Sequence, residues 1–182
     1  MPSIYYDPSE DGTATTKKEF VPLPDAEYFC HITSYNDPAK SISTRKGAVC
    51  DIMKLELTVN ADKHPEWADR KIWSDVWITL SVKGKEPTSG DNLSFGKFLD
   101  SINYPLEQTE VEINGVKKSV SVLPFGVEEI DQDHIVGRPV KVTTYTENWT
   151  DKTGQNRTSN KVRYYNQWNG GQLLEEDDDL PF

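Results

Sequence analysis

The segment RKIWSDVWITL (70–80) alternates along its length: Ile72, Val76, Ile78 and Leu80 fall on one side, and Lys71, Trp73, Asp75, Trp77 and Thr79 on the other. Side chains of a β-strand point alternately to its two faces, so this period of two predicts a strand with one buried and one open face. The preceding segment VCDIMKLELTV (49–59) does the same, setting Val49, Met53, Leu55, Leu57 and Val59 against Cys50, Ile52, Lys54, Glu56 and Thr58. Only Asp51 breaks its apolar series. Two neighbouring strands of this kind must lie in a sheet. AEYFCHITSY (26–35), rich in β-branched and aromatic residues and followed by the turn-like NDPAK, predicts a third strand. PVKVTTYTENW (139–149) and KVRYYNQW (161–168), joined by the polar TDKTGQNRTSN, predict two more.

One segment has a different period. In DNLSFGKFLDSIN (91–103), Phe95, Phe98, Leu99 and Ile102 recur at helical spacing behind Asp91 as a cap. Asn114-Gly115 then stands between alternating runs and predicts an inserted hairpin over 109–123. Three strands, a helix, an excursion and two strands is the order of an OB-fold: all-β with one helix, a five-stranded barrel with an inserted hairpin. An immunoglobulin-like sandwich would need about seven strands and leaves little room for a central helix. Residues 1–22 are expected as a flexible arm, 23–168 as the folded domain, and 169–182 as a disordered acidic tail opened by a Gly pair. The polar first residues lack a basic and an apolar signal region, and no apolar run approaches about 20 residues, so the expected location is the cytoplasm.

Charge is distributed unevenly. The formal net charge of −10 argues against a polyanionic partner, yet from Gly137 to Trp168 six basic residues stand against Glu147 and Asp151, a local balance of +4. Five consecutive carboxylates, Glu175 to Asp179, contribute half the total deficit. Local charge decides where a polyanion docks.

In an OB barrel, oligonucleotides bind across strands two and three, between the loops joining strands one to two and four to five. Here those positions hold Lys40, Arg45 and Lys46 in the first loop and Lys71, Trp73 and Trp77 on the third strand. The last hairpin places Lys141, Tyr145 and Trp149 on one strand, Lys152 and Arg157 in its loop, and Lys161, Arg163 and Tyr165 on the other strand, opposite Val162 and Tyr164. Aromatics interleaved with cations suit single-stranded nucleic acid, because bases stack on rings while cations follow phosphates. Trp73 and Trp77 also have a second reading, as core residues beneath the helix or the hairpin. The hairpin itself has three: packing on DNA, on a second subunit, or on nothing.

Catalysis is not expected. GxSxG, HExxH, P-loop and GxGxxG are absent, and His31, His64 and His134 lie in unrelated contexts. Cys30, His31, Cys50 and His64 match no zinc spacing, the two cysteines form no CxxC pair, and carboxylates such as Glu128-Glu129 and Asp131-Asp133 are ordinary in so acidic a chain. No metal or other cofactor is expected.

The terminus DDDLPF (Asp177, Asp178, Asp179, Leu180, Pro181, Phe182) closely resembles the acidic tip of bacterial single-stranded DNA-binding proteins, with Leu180 where isoleucine is usual. That resemblance implies a docking peptide whose terminal Phe and carboxylate enter an apolar pocket on replication and repair enzymes while the aspartates meet its basic rim. The body is similar instead to phage-encoded single-stranded DNA-binding proteins, through AEY (26–28), DRKIW (69–73) and GRPV (137–140), with Ala26 and Asp69 as departures. Together these imply a non-enzymatic protein that coats single-stranded DNA in phage replication and recombination, in the host cytoplasm, and recruits a polymerase, primase, helicase or nuclease. The alternative is an acidic interaction module that occupies such an enzyme's pocket without touching DNA.

Overall fold

In a computed structural model of the chain, residues 21–43 and 46–174 are described, the side chains of 36–43 and of Ser89 excepted. The elements are β1 (Glu27–Ser43), β2 (Ala48–Val59), β3 (Lys71–Val82), α1 (Leu93–Ser101), β4 (Glu107–Ile113), β5 (Val116–Val122), β6 (Pro139–Thr150) and β7 (Asn156–Asn166). Five strands form an antiparallel sheet in the order β3-β2-β1-β6-β7, while β4 and β5 make a separate two-stranded sheet. Expected as a five-stranded barrel, the ladder is not closed: β3 and β7 are its two ends and share no backbone pairing.

The alternation builds the core. Met53, Leu55, Leu57 and Val59 of β2 lie on the same side as Ile72, Val76 and Ile78 of β3, joined by Tyr28, Cys30 and Ile32 of β1 and by Val140 and Val142 of β6. The helix covers this face with Phe95, Phe98 and Leu99, and Ile102 follows just beyond it. Each such side chain contributes about 1.5 to 3 kcal/mol by leaving water. Burial pushes the Cys30 thiol up to about 12, so it remains protonated and packs as a small hydrophobe.

Asp51, the interruption in the β2 pattern, also points inward and is buried. Its carboxylate accepts the Val127 N–H at 3.1 Å. Gly126, with φ +84°, passes so close that a Cβ there would stand 2.9 Å from Asp51 Oδ2. The polar residue in the core thus pins the return from the hairpin to β6.

Asp91 does not cap α1. It closes a capping box with Thr88 around the 3-10 turn Ser89–Asn92, accepting the Thr88 N–H at 2.7 Å. Asn92 stands at the start of α1 and clamps it to β3, accepting the Thr79 N–H at 2.7 Å and donating to the Thr79 carbonyl at 2.9 Å. The inserted hairpin forms as expected, two residues longer at its start: Asn114 and Gly115 both have positive φ, as a two-residue I′ turn requires.

Three boundaries differ from the sequence expectation. NDPAK is not a turn but part of β1, where the pairing with β2 shifts register between Asn36 and Ala39 and again before Ile42. Pro38, which has no N–H to give a ladder, falls inside the first shift. The polar loop of the last hairpin shortens to 151–155, because β7 already begins at Asn156. At the other end, 169–174 lies against the body instead of starting a disordered tail. The Trp168 ring sits 5.1 Å from those of Phe29 and His31, His31 Nε2 is 2.8 Å from the Gln172 carbonyl oxygen, and Leu174 N–H donates to the Gly137 carbonyl at 3.0 Å. Gly171 packs where a Cβ would stand 2.7 Å from Pro139 and Trp168, so only glycine allows this approach.

Leu23 is buried and held by Asn160: its N–H donates to Asn160 Oδ1 and its carbonyl accepts from Nδ2, both at 2.9 Å. Among the described residues no helix is long and apolar enough to cross a membrane.

Candidate nucleic-acid interface

On β3 the alternation that buries Ile72, Val76 and Ile78 turns the intervening residues outward. Trp73 is 61% and Trp77 44% exposed, so neither is covered by the helix or the hairpin. Four residues apart on one strand, the rings are about 13 Å apart along its axis. Lys71 shares their face and is held 3.3 Å from Glu56, with a hydrogen bond to Thr58 Oγ1 at 2.7 Å. Asp75 is exposed between the two rings, with Lys54 directly opposite it on β2.

The second group lies on β6 and β7. Tyr145 is half-buried beneath the Arg163 guanidinium, 5.0 Å from the ring centroid, and Lys161 is exposed directly across from Tyr145. Trp149, 49% exposed, is paired across the hairpin with Arg157. Arg157 is partnered, its Nε 2.9 Å from Asp151 Oδ2. Hydrogen bonds from the Thr153 hydroxyl, then Arg157, then the Gln155 N–H hold the Asp151 carboxyl well below the usual carboxylate range, so this loop anchor stays ionised. Lys152 is exposed in the same loop, and Lys141 is half-buried 3.8 Å from Glu27.

Tyr165 corrects the sequence expectation. The β6–β7 register runs from Thr143↔Tyr164 to Thr144↔Val162, leaving Arg163 as one extra residue on β7. That bulge reverses the phase of everything beyond it. Tyr165 therefore turns inward, meets the Phe98 ring edge-on at 5.0 Å and hydrogen-bonds the Ser74 hydroxyl, while burial pushes its phenol above the ordinary value. Tyr164, expected inside, is 59% exposed. It is the exposed aromatic that sequence reasoning placed inside; in VRYY only an uninterrupted alternation was assumed.

The Ser74–Tyr165 contact also shows how the sheet is shaped. β3 and β7 stand at opposite ends of the ladder, yet the sheet curls until they touch. The curl thereby brings Trp77 of β3 beside Arg163 and Tyr164 of β7. A cleft of about 700 Å³ opens at this seam, between β3, α1 and β7.

The remaining positions are placed as follows. Lys46 is exposed at the β1–β2 turn, and Lys40 lies in β1 with its side chain outside the description. Arg45 and Asp177 to Phe182 lie outside the described residues. Arg138, counted in the basic segment, turns away to His134, with Nη2 3.0 Å from Nδ1. No protein-family model matches the chain, and no curated protein matches it significantly.

Proposed function

We propose that this chain is a non-enzymatic, sequence-independent single-stranded DNA-binding protein of the OB type, phage-encoded and acting in DNA replication and recombination in the host cytoplasm. The fold supports this through its strand order, which with the helix between the third and fourth strands of the main sheet is that of a partly open OB barrel. The observation that carries the proposal is the exposure of Trp73, Trp77, Trp149 and Tyr164 on β3, β6 and β7, strands that also carry Lys71, Lys161 and Arg163. Three of the five tryptophans are spent on solvent there. Stacking on each is worth about 1 to 3 kcal/mol per base and is indifferent to base identity. The DDDLPF terminus then acts as the docking peptide for a partner enzyme, its acids steering toward a basic rim.

A second reading has its own support. Lys71, Lys141 and Arg157 are each paired with a carboxylate of the same chain, which reduces the positive field a phosphate would meet. It favours the acidic interaction module that docks on an enzyme without DNA. Titration of fluorescent oligo-dT with intact protein and with protein lacking residues 175–182, at two salt concentrations, separates the two. The DNA-binding reading expects Trp quenching, steep loss of binding with salt, and affinity unchanged or raised without the tail. No quenching and no mobility shift at low salt would leave only the interaction module.

A further inference from the structure

Resting on that reading, we infer that the cleft at the β3–β7 seam is a nucleotide subsite that takes one base of the bound strand out of line with its neighbours. Its volume of about 700 Å³ is that of a small-molecule site, far more than two touching strands need. Its walls have the chemistry of a nucleotide. Trp77 on β3 and Tyr164 on β7 both line it and both keep about half their surface open, so aromatic faces are available from either side. Lys97 of α1 and Arg163 of β7 supply cations at the mouth for a phosphate. Since β3 and β7 are the end strands of the ladder, their facing edges have no strand partner across the gap, and on β3 Asn92 takes up only the groups of Thr79. The other backbone groups of these edges, with the Asn166 amide, can meet the polar edge of any base.

The cleft is also continuous with the strand face. Trp77 belongs to both, so a chain stacked on Trp73 and Trp77 is led to the seam without a break. Arg163, which lines the cleft, also lies over the Tyr145 ring of β6, so the path continues from the seam onto that strand. Below, Tyr165 and Ser74 close the floor by their hydrogen bond, which keeps the base from entering the core. Asp75 and Asp100 on the lining disfavour a second phosphate inside, so one nucleotide enters and its neighbours remain outside.

The test is photocrosslinking of an oligo-dT carrying single 5-iodouracils to the intact protein, with peptide mapping, beside titrations of Tyr164→Ala and Lys97→Gln. Crosslinks are expected on Tyr164 or Trp77, and each variant is expected to weaken oligo-dT binding roughly fivefold or more. Both side chains project into solvent, and circular dichroism verifies that the variants are folded. If the wild-type protein binds oligo-dT but crosslinks only through Trp73 or Trp149, and both variants bind as wild type, the subsite is overturned and the DNA-binding function stands. If the wild-type protein does not bind oligo-dT, the function itself fails and the subsite with it.

Discussion

Replacing Tyr165 separates the core role found here from the DNA contact that the alternating pattern implied. Tyr165→Ala removes a ring packed against Phe98 across the seam, a truncation that costs about 3 to 5 kcal/mol in well-packed cores. For a domain of this size that lowers Tm by roughly 10 °C or more. Tyr165→Phe keeps the ring and loses only the bond to Ser74, costing about 1 kcal/mol. Ser74→Ala is the harsher change, about 1 to 3 kcal/mol, because it leaves the phenol buried without its partner. Added to Ser74→Ala, Tyr165→Phe therefore costs almost nothing further. Urea denaturation followed by circular dichroism measures all four proteins and yields the coupling energy of the pair. Oligo-dT affinity of Tyr165→Phe, measured well below its Tm, stays within twofold of wild type. Two results refute the reasoning: a loss under about 1 kcal/mol for Tyr165→Ala, the range of surface positions, or strictly additive costs for Ser74→Ala and Tyr165→Phe.

Three further outcomes follow from particular contacts. Gly126→Ala forces a Cβ to within 2.9 Å of Asp51 Oδ2 at φ +84°, and thermal denaturation should show a loss of about 1 to 3 kcal/mol; an unchanged Tm would mean the Asp51 anchor does not matter. Asn160→Ala removes both hydrogen bonds to Leu23, so limited proteolysis should cut near residue 23 faster and stability should drop by about 1 to 3 kcal/mol. His64 accepts the Phe29 N–H on Nε2 at 3.0 Å, and burial, then Lys63, holds its pKa below the ordinary value. Because the unfolded chain takes up this proton more readily, the contribution is complete above about pH 6.5 and is lost as pH falls below it. The urea midpoint should drop between pH 7 and pH 5 less in His64→Gln than in wild type; parallel curves would exclude His64 as the cause.

Much of the fold could be read before any coordinates. β3 is legible because one face lies in the core and one outside it, and β2 keeps that contrast from Met53 to Val59 although Cys50 and Ile52 of its other face are buried. The hairpin is legible because Asn-Gly is among the few pairs that accept left-handed backbone at two consecutive positions. What escaped detection depends on register. A bulge inserts one residue without altering composition, so the phase reversal at Arg163 is silent in the sequence and exchanges Tyr164 with Tyr165. The same holds for β1, whose Asn-Asp-Pro reads locally as a turn, although a paired β2 carries the strand past it. The curl that unites Trp77 with Tyr164 is further out of reach, since it arises from the twist of five strands and from a contact 91 residues apart between Ser74 and Tyr165. Alternation set Trp73 and Trp77 on the face opposite the aliphatic series but left open whether the helix or hairpin covers them, and the structure exposes both.

The lashing of residues 168–174 to Phe29, His31 and Gly137 sets a geometric limit on whatever follows them. Position 182 is eight residues beyond Leu174, and a fully extended chain spans at most about 3.6 Å for each, so Phe182 is at most about 29 Å from a fixed post beside the start of β6. On the proposed docking role, an enzyme that grips Phe182 would work within that distance of the flank where Gly137 lies.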